Sequence, residues 1–591
     1  MQNPLEFYKT QKHNFELELK AVKRQLINSS LLRLSVFFAL AFCVYFFFNQ
    51  WQLLVPILVI GLVFFGVLIS RHVDLQLKRD LKQTLIALNE TELKVLDRDF
   101  HDLETGSQFE NSSHYYSYDI DLFGTGSFFQ YTNRTATQEG MHAYANLLTA
   151  NNTTRIVEKQ EAIQELADKA AWRQHFTAVG KLVKVEETIV NINNWIRNYT
   201  SVFPKFLAYL PQVFSLISLV LIVLSSLNFL SPNIVVGWFF VGLGITSFYL
   251  KKVSKLYQNS NRAKDTFKQY HQLLNEIEEI TFSSTLLQEK QKIIQTESQK
   301  ASEIFKRFSK ILDAFDQRNN MFIGVVGNGL ALMDLWNAHR IERWMMNYQS
   351  SVEHWFEVIA FFDAQNSLAN FCFNHPTYVF PAISDPNQGI KATQLGHPLL
   401  KPAKRVDNDF EIDREQFFII TGANMAGKST FLRTVSLSIV MANCGLPICA
   451  TSARYSPIKL ITSMRTSDSL VDDESYFFSE LKRLKFMVDK IQEETGAYFI
   501  ILDEILKGTN STDKAIGSKK FVQKLVASNS TGIIATHDLS LCEITAELPM
   551  VKNYYFDAEI IDDELHFDYR FKPGICQNMN ASFLLKKMEI V

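Results

Sequence analysis

Phe417-Phe-Ile-Ile-Thr-Gly-Ala-Asn-Met-Ala-Gly-Lys-Ser-Thr430 is the stretch on which the reading of this chain turns. Its first four residues are a short apolar run suited to a buried parallel strand. Gly422 through Ser429 then fits the pattern GxxxxGK[ST], and a helical pattern continues from Thr430 to about Cys444. A strand, a glycine loop and a helix start make an anion cradle, because backbone N–H groups and the helix dipole face the same point. At such a cradle Lys428 is placed to reach the β- and γ-phosphates of ATP, and the Ser429 hydroxyl to ligate Mg²⁺. The bare pattern recurs by chance. The strand before it and the helix after it are what give it weight.

Working outward, two more apolar runs end in chemistry. Tyr498-Phe-Ile-Ile-Leu502 leads into Asp503-Glu504. In a phosphate-loop fold a carboxylate at this strand end holds Mg²⁺, often through water, and the next one polarises the attacking water as general base. Asp503 takes the first role and Glu504 the second; the bland alternative is a strand that ends in two acids. Gly532-Ile-Ile-Ala-Thr536 leads into His537-Asp538. His537, one strand further on, is placed to sense the γ-phosphate or orient the water.

Read together, these pieces resemble the MutS family of ABC-type ATPases. Thr421 to Thr430 is similar to that family's TG-x-NM-x-GKST loop, in which Asn424 and Met425 are the distinctive pair. Asp503-Glu-Ile-Leu-Lys-Gly-Thr-Asn-Ser-Thr-Asp513 resembles its acidic strand end and following loop, with Leu506-Lys507 where Gly-Arg is usual. Ala535-Thr-His-Asp538 looks like its third strand end. Upstream, Asp121-Leu-Phe-Gly124, Asn133-Arg-Thr135, Gly140 and Gln160 resemble the start of the family's core, or lever, domain. Ser367-Leu-Ala-Asn370 and Gly396-His-Pro398 resemble the run into the ATPase.

The resemblance implies more than the motifs show. It implies a homodimer that sandwiches each ATP, with Ser475 capping the partner's γ-phosphate in trans; the plainer reading of Ser475 is a helix N-cap. It implies that Asp468 couples nucleotide to levers, that Val406 and Asn408 flank the base, and that Tyr569 stacks on the adenine. It also implies DNA binding and mismatch repair. Against that, the 71–118 interval is too short for the mismatch-reading domain of such relatives, and the interval that holds their DNA clamp here holds an apolar stretch.

That stretch and its earlier twin raise the membrane question. Residues 34–70 and residues 206–250 contain no charged side chain. A spanning helix needs about 20 apolar residues. Each stretch is nearly twice that length and breaks in the middle, at Asn49-Gln-Trp-Gln52 and at Asn228 to Asn233. The pattern predicts two helical hairpins, 34–48 with 53–69 and 206–227 with 234–250; the competing reading is core helices of a large soluble protein. Lys20, Lys23, Arg24 and Arg33 precede the first hairpin, and Arg71, Lys78 and Arg79 follow it. Arg197 and Lys205 precede the second, and Lys251, Lys252 and Lys255 follow it. The positive-inside rule then puts the ATPase and both termini on the cytoplasmic side, as for a multi-pass protein of a bacterial inner membrane. The polar, charged N-terminus predicts no cleavable signal peptide.

Composition adds limits. With 60 basic and 62 acidic residues the net charge is −2, which lacks the basic excess of a chain built to grip phosphate backbones. The Lys/Glu-rich stretch 251–310 reads as long helices with a solvated charged face; a DNA-binding role for its lysines is the other reading. Six scattered cysteines fit a reducing compartment rather than a disulfide framework or zinc site. A transporter is disfavoured, since uncharged spans offer no polar path.

The expected fold is therefore an α/β ABC-type ATPase with a helical lever domain and four transmembrane helices. In order, these are an N-terminal helix (1–33), a first hairpin (34–70), a linker (71–118) and the first part of the core (119–205). A second hairpin (206–250), lever helices (251–395) and the ATPase (396–591) follow. The expected function is an ATP-driven dimeric switch anchored in a membrane, with a DNA role implied by the family. The alternative is a membrane-complex ATPase that acts on a protein or membrane partner and not on DNA.

Overall fold

In the computed structural model the described residues are 3–182, 187–295, 299–385, 388–465, 476–494, 498–507, 509–561 and 564–577. They form a mixed α/β molecule, mostly helical, with its sheets confined to the C-terminal part.

The chain opens with two long antiparallel helices, α1 (Pro4–Phe46) and α2 (Trp51–Leu96). Asn3 caps α1 by accepting from the Leu5 amide at 3.0 Å, and Pro4 at the first helical position needs no N–H there. α1 begins well before its apolar stretch, and α2 runs well past the end of its own. The segment expected to be a linker from residue 71 is helical as far as Leu96, because no Gly or Pro interrupts it and its inner face stays apolar at Leu75, Leu85 and Val95. The second apolar stretch forms α3 (Leu210–Ser226) and α4 (Pro232–Glu279). The Ser231-Pro232 break is a helix start: the serine accepts from the Asn233 amide, and the proline takes the first turn. α4 runs on unbroken through the charged stretch that follows.

α1, α2 and α4 are each long and apolar enough to cross a membrane by length and composition; α3 is shorter. At about 1.5 Å per residue its 17 residues reach about 25 Å, short of a hydrocarbon core of about 30 Å. Large apolar side chains stand bare along these helices, among them Phe42, Ile60, Leu216 and Phe248.

The helical body gathers around the lower half of α4. Helices α5 (Ala301–Asp316), α7 (Met333–Tyr348) and α8 (Val352–Asn374) pack there with shorter helices from residues 128–197 and 285–294, and α6 (Met321–Ala331) joins α5 to α7. Its centre is aromatic: Phe308 stacks on Trp344 at 3.7 Å, and Phe267 sits edge-on to Phe305, Phe308 and Trp344. α8 is buried almost throughout its length, and Asp363 within it accepts from the Ala136 and Thr137 amides and from the Thr137 hydroxyl. That carboxylate pins the loop of Asn133-Arg-Thr135 to the helix leading into the sheet domain.

The first turn of α1 is tied to the far end of α8. The Tyr8 hydroxyl donates to Asn374 at 2.7 Å, and Asn374 donates to Glu92 of α2 at 2.7 Å. Glu92 also pairs with Arg134, so the base of the first hairpin is wired into the body by buried polar groups.

The main sheet has six strands: β1 (Phe417–Gly422), β2 (Lys459–Ser463), β3 (Tyr498–Asp503), β4 (Thr531–Ala535), β5 (Val551–Phe556) and β6 (Lys572–Pro573). Their order is β6-β5-β1-β4-β3-β2, parallel except at β6. β1 is buried on both faces, with Phe418 and Ile420 in one core and Phe417 and Ile419 in the other. That is why its sequence reads as a continuous apolar run and not as an alternation. A second sheet of four short strands, which include Ile390–Leu395 and Asn408–Ile412, adjoins this domain.

Candidate active site

Three adjacent parallel strands, β1, β4 and β3, end at the same edge of the sheet, where an open α/β fold places its ligands. After β1 the chain turns through residues 423–427 into α9 (Lys428–Asn443). Gly422 has φ 147° and Gly427 φ 104°, values that L side chains rarely adopt. A Cβ on Gly422 would lie 2.5 Å from the Phe556 carbonyl oxygen, so that glycine is required twice over. Asn424 lies in the turn itself. Met425 beside it is exposed and also has positive φ, 67°.

The loop closes on its own lysine. Lys428 is buried, and its ammonium donates to the Gly422 and Ala423 carbonyls at 2.8 and 2.9 Å. Burial holds its pKa below the ordinary lysine value, with the Asp503 and Glu504 charges opposing the shift. Next along the helix, the Ser429 hydroxyl donates to Asp503 Oδ2 at 2.8 Å. Burial raises the Asp503 pKa, and the Ser429 hydrogen bond works against that rise. A hydroxyl and a carboxylate at this spacing are hard oxygen donors. They suit Mg²⁺, which takes few protein ligands and completes its shell with water and phosphate. Thr430 is exposed at the mouth of the neighbouring cleft.

Glu504 has φ 50°, held there by its amide, which donates to the Ala535 carbonyl at 2.9 Å. Its Oε1 lies 2.8 Å from His537 Nε2. That nitrogen's proton goes to the carboxylate and holds the Glu504 pKa down, to about 2. Lys428 Nζ is 3.4 Å from the same nitrogen. Lysine, serine, two acids and histidine thus converge from three strand ends.

Beside the loop lies a cleft of about 280 Å³ lined by Val406, Asn408, Thr430, Phe431 and Tyr569 among others. Ligand sites are about 300–1,000 Å³, so this cleft has room for a base and little more. Asn408 does not point at the cleft as a free donor. Its amide donates to the Tyr569 carbonyl at 3.0 Å, and its oxygen accepts from the Phe571 amide at 2.8 Å. It therefore positions the loop that carries Tyr569, whose ring comes within 3.0 Å of where a Gly427 Cβ would stand.

Ser475 and Asp468 lie outside the described residues. The helix that follows, α10 (Tyr476–Glu493), reveals a residue the motifs did not mark. Glu480 is buried and accepts from the Leu506 and Lys507 amides, clasping the loop after Glu504. Asp119 and Asp121 were also unmarked as contacts: Asp119 accepts from the Arg465 amide at 2.9 Å, and Asp121 pairs with Arg433 of α9 at 3.1 Å and with Arg465. These join the helical body to the helix after the glycine loop and to the end of β2. Only the spacing of Asp121 before Gly124 hinted at them.

Comparison with known proteins places this domain. The MutS domain V family profile matches residues 418–587. Among curated proteins, the chain is 33% identical over 221 residues to the DNA mismatch repair protein MutS of Methanococcoides burtonii, covering 36% of this chain and 24% of that protein. It is 30% identical over 245 residues to the DNA mismatch repair protein MutS of Syntrophomonas wolfei, covering 40% and 28%. It is 28% identical over 246 residues to human MutS protein homolog 4, covering 40% and 25%. The sheet domain is thus a MutS domain V. The likeness to MutS proteins is carried by the C-terminal part of the chain, which spans about a quarter of the length of these relatives.

Proposed function

We propose that the chain is a Mg²⁺-dependent ATPase of the MutS type that works as a membrane-anchored, nucleotide-switched homodimer. The observation that carries the reading is the convergence of Lys428, Ser429, Asp503, Glu504 and His537 at three adjacent strand ends. When bound, Mg²⁺·ATP supplies the phosphoanhydride and the metal charge that neutralises it. Lys428 would exchange its two carbonyls for phosphate oxygens, and Ser429 and Asp503 would supply oxygen ligands to the metal. Glu504 takes the proton of the attacking water, and His537 orients that carboxylate. Asn408 and Tyr569 frame the base.

All these groups approach from one side of the site. Phosphoryl transfer needs stabilising contacts around the transferring group, and a second copy of the chain is the natural source of the rest. The bare apolar faces of α1 to α4, with their cationic flanks, support insertion in a membrane, with the ATPase on the cytoplasmic side. Motion at the site reaches the helical body through Asp119 and Asp121.

The test is phosphate release by the detergent-solubilised chain with ATP and Mg²⁺. Turnover abolished by EDTA and restored by Mg²⁺ is expected; EDTA-insensitive turnover would refute the metal assignment. The names of the relatives bring a DNA mismatch repair role to this chain as a hypothesis. The net charge of −2 and the apolar helices between the two parts of the helical body favour instead a membrane or protein partner. Binding to homoduplex, mismatched and branched DNA across a salt series, with and without ATP, separates the two. Mismatch-selective, ATP-sensitive binding would favour DNA.

A further inference from the structure

α6, Met321–Ala331, is an apolar helix that the two long uncharged stretches do not include. It packs into the second hairpin. A Cβ on Gly242 of α4 would lie 2.4 Å from the Gly329 carbonyl oxygen, so the two backbones touch there, and Ser215 of α3 donates to the Ala331 carbonyl at 3.4 Å. The N-terminal half of α6 is bare: Met321 is 85% and Phe322 75% exposed, with Ile323 and Val325 exposed beside them. α4, against which it packs at Gly242, is bare as well at Phe240 and Phe248.

The chain then bends by 84° into α7. At the bend Leu332 is fully buried with φ 48°, its amide bonded to the Gly327 carbonyl, and the Asp334 amide donates to Asn328 at 2.8 Å. Non-helical backbone at membrane depth is tolerated only where protein satisfies it in this way.

We propose that α6 is a re-entrant element: it dips into the lipid beside α3 and α4 and returns to the side from which it came. Three observations exclude a crossing. Eleven residues rise about 16 Å, half of a hydrocarbon core of about 30 Å. The helices before and after it, α5 and α7, lie side by side in the helical body, with Trp344 Nε1 donating to the Ile304 carbonyl at 3.3 Å and Phe308 stacked on Trp344. Arg318, just before α6, pairs with buried Asp334, just after it, at 3.1 Å, closing the base of the loop. The level of that base carries an interfacial collar: the Arg318 guanidinium lies over the Tyr257 ring at 5.2 Å, near Tyr249, Lys251, Lys252 and Lys255. The occupant of the bare half is lipid acyl chain, since α6 packs on α4, itself bare at Phe240 and Phe248.

The inference rests on the membrane reading given above, and the experiment separates the two. Nitroxides are placed singly at Phe322→Cys, Phe240→Cys and Lys310→Cys in a Cys43→Ala background, the five other cysteines being buried. The full chain is reconstituted in phosphatidylcholine–phosphatidylglycerol vesicles, and collisions with oxygen and with a water-soluble nickel chelate are measured by power saturation. Positions 240 and 322 should both favour oxygen, with a collision ratio several-fold above that at exposed position 310. Nickel access at 322 with oxygen preference at 240 would overturn re-entry alone. Protection of 322 from both reagents would mean a protein cover and would overturn it as well. Nickel access at 240 would defeat the membrane reading itself.

Discussion

Replacing Glu504 by Gln tests the general-base assignment without disturbing the architecture. The backbone at 504 is held by its amide bond to the Ala535 carbonyl, not by its side chain, so the positive φ survives the change. Gln has the same shape, and its carbonyl oxygen can still accept from His537. What goes is the carboxylate's ability to take a proton. Removing a positioned base costs about 10²–10⁴-fold, or about 2.7–5.4 kcal/mol at 1.36 kcal/mol per decade. His537 holds this carboxylate to about 2, which makes it a weak base, so the loss should fall in the lower half of that range, about 10²–10³-fold.

The assay is steady-state phosphate release together with ATP binding measured by a fluorescent analogue. Turnover should fall while affinity stays within about two-fold, since uniform binding is untouched. Equal turnover in both proteins would refute the assignment. The companion change His537→Ala removes the donor that depresses Glu504. In wild type the carboxylate is ionised at every pH above about 2, and stability from this contact is lost only as pH falls below the ordinary carboxylate range toward that value. In His537→Ala the acid limb of the turnover profile should move up toward the ordinary Glu value. An unmoved limb would show that the acid limb reports another group.

Lys428→Ala should lower ATP affinity about 10–100-fold, the worth of one hydrogen bond to a charged group, as measured by equilibrium binding; unchanged affinity would show that the lysine stays on its carbonyls. Asp363→Ala leaves the Ala136 and Thr137 amides and the Thr137 hydroxyl without their acceptor, at about 1–3 kcal/mol each, so a loss of about 3 kcal/mol or more is expected in urea unfolding. Burial lifts the Asp363 pKa to about 6, so its contribution to wild-type stability should decline as pH rises from 3.8 through about 6, a decline absent in the variant. Mixing a Ser475→Arg chain with a Lys428→Ala chain makes about half the dimers mixed, each with one whole composite site, and should restore roughly a quarter of wild-type turnover if sites are shared between subunits. Activity in Ser475→Arg alone would confine each site to one subunit.

What the sequence made legible follows a simple division. The strand ends carrying Ser429, Asp503, Glu504 and His537 are written in contiguous residues: buried parallel strands are locally all apolar, and their chemistry starts where the apolar run stops. Helix breaks at Asn49 and Ser231 were equally local. Glu480 was invisible because its partners, the Leu506 and Lys507 amides, are backbone groups that leave no trace in the residue types there. Asn408 lines the cleft, but its hydrogen bonds run to the Tyr569 loop, a pairing across 161 positions that no window detects. α6 escaped because eleven residues holding three glycines and an asparagine are too short and too mixed to read as a membrane segment. The extension of α2 to Leu96 was missed because charge onset was taken as the end of an element, whereas it marks only a change of surroundings.

α4 has a consequence for what the two ends of the protein can do independently. Its 48 residues form one continuous helix about 72 Å long, with no proline after its first turn. Its upper part is the apolar rod of the second hairpin; its lower part is the spine of the aromatic core around Phe267. A tilt of about 5° imposed at the lower end sweeps the upper end through about 6 Å, on the scale of one helical turn. Under the proposed function, closure around nucleotide and displacement within the bilayer would be one rotation seen from two places. Conversely, a bilayer of the wrong thickness, which forces a rod to lean, would bias the nucleotide site before any ATP arrives.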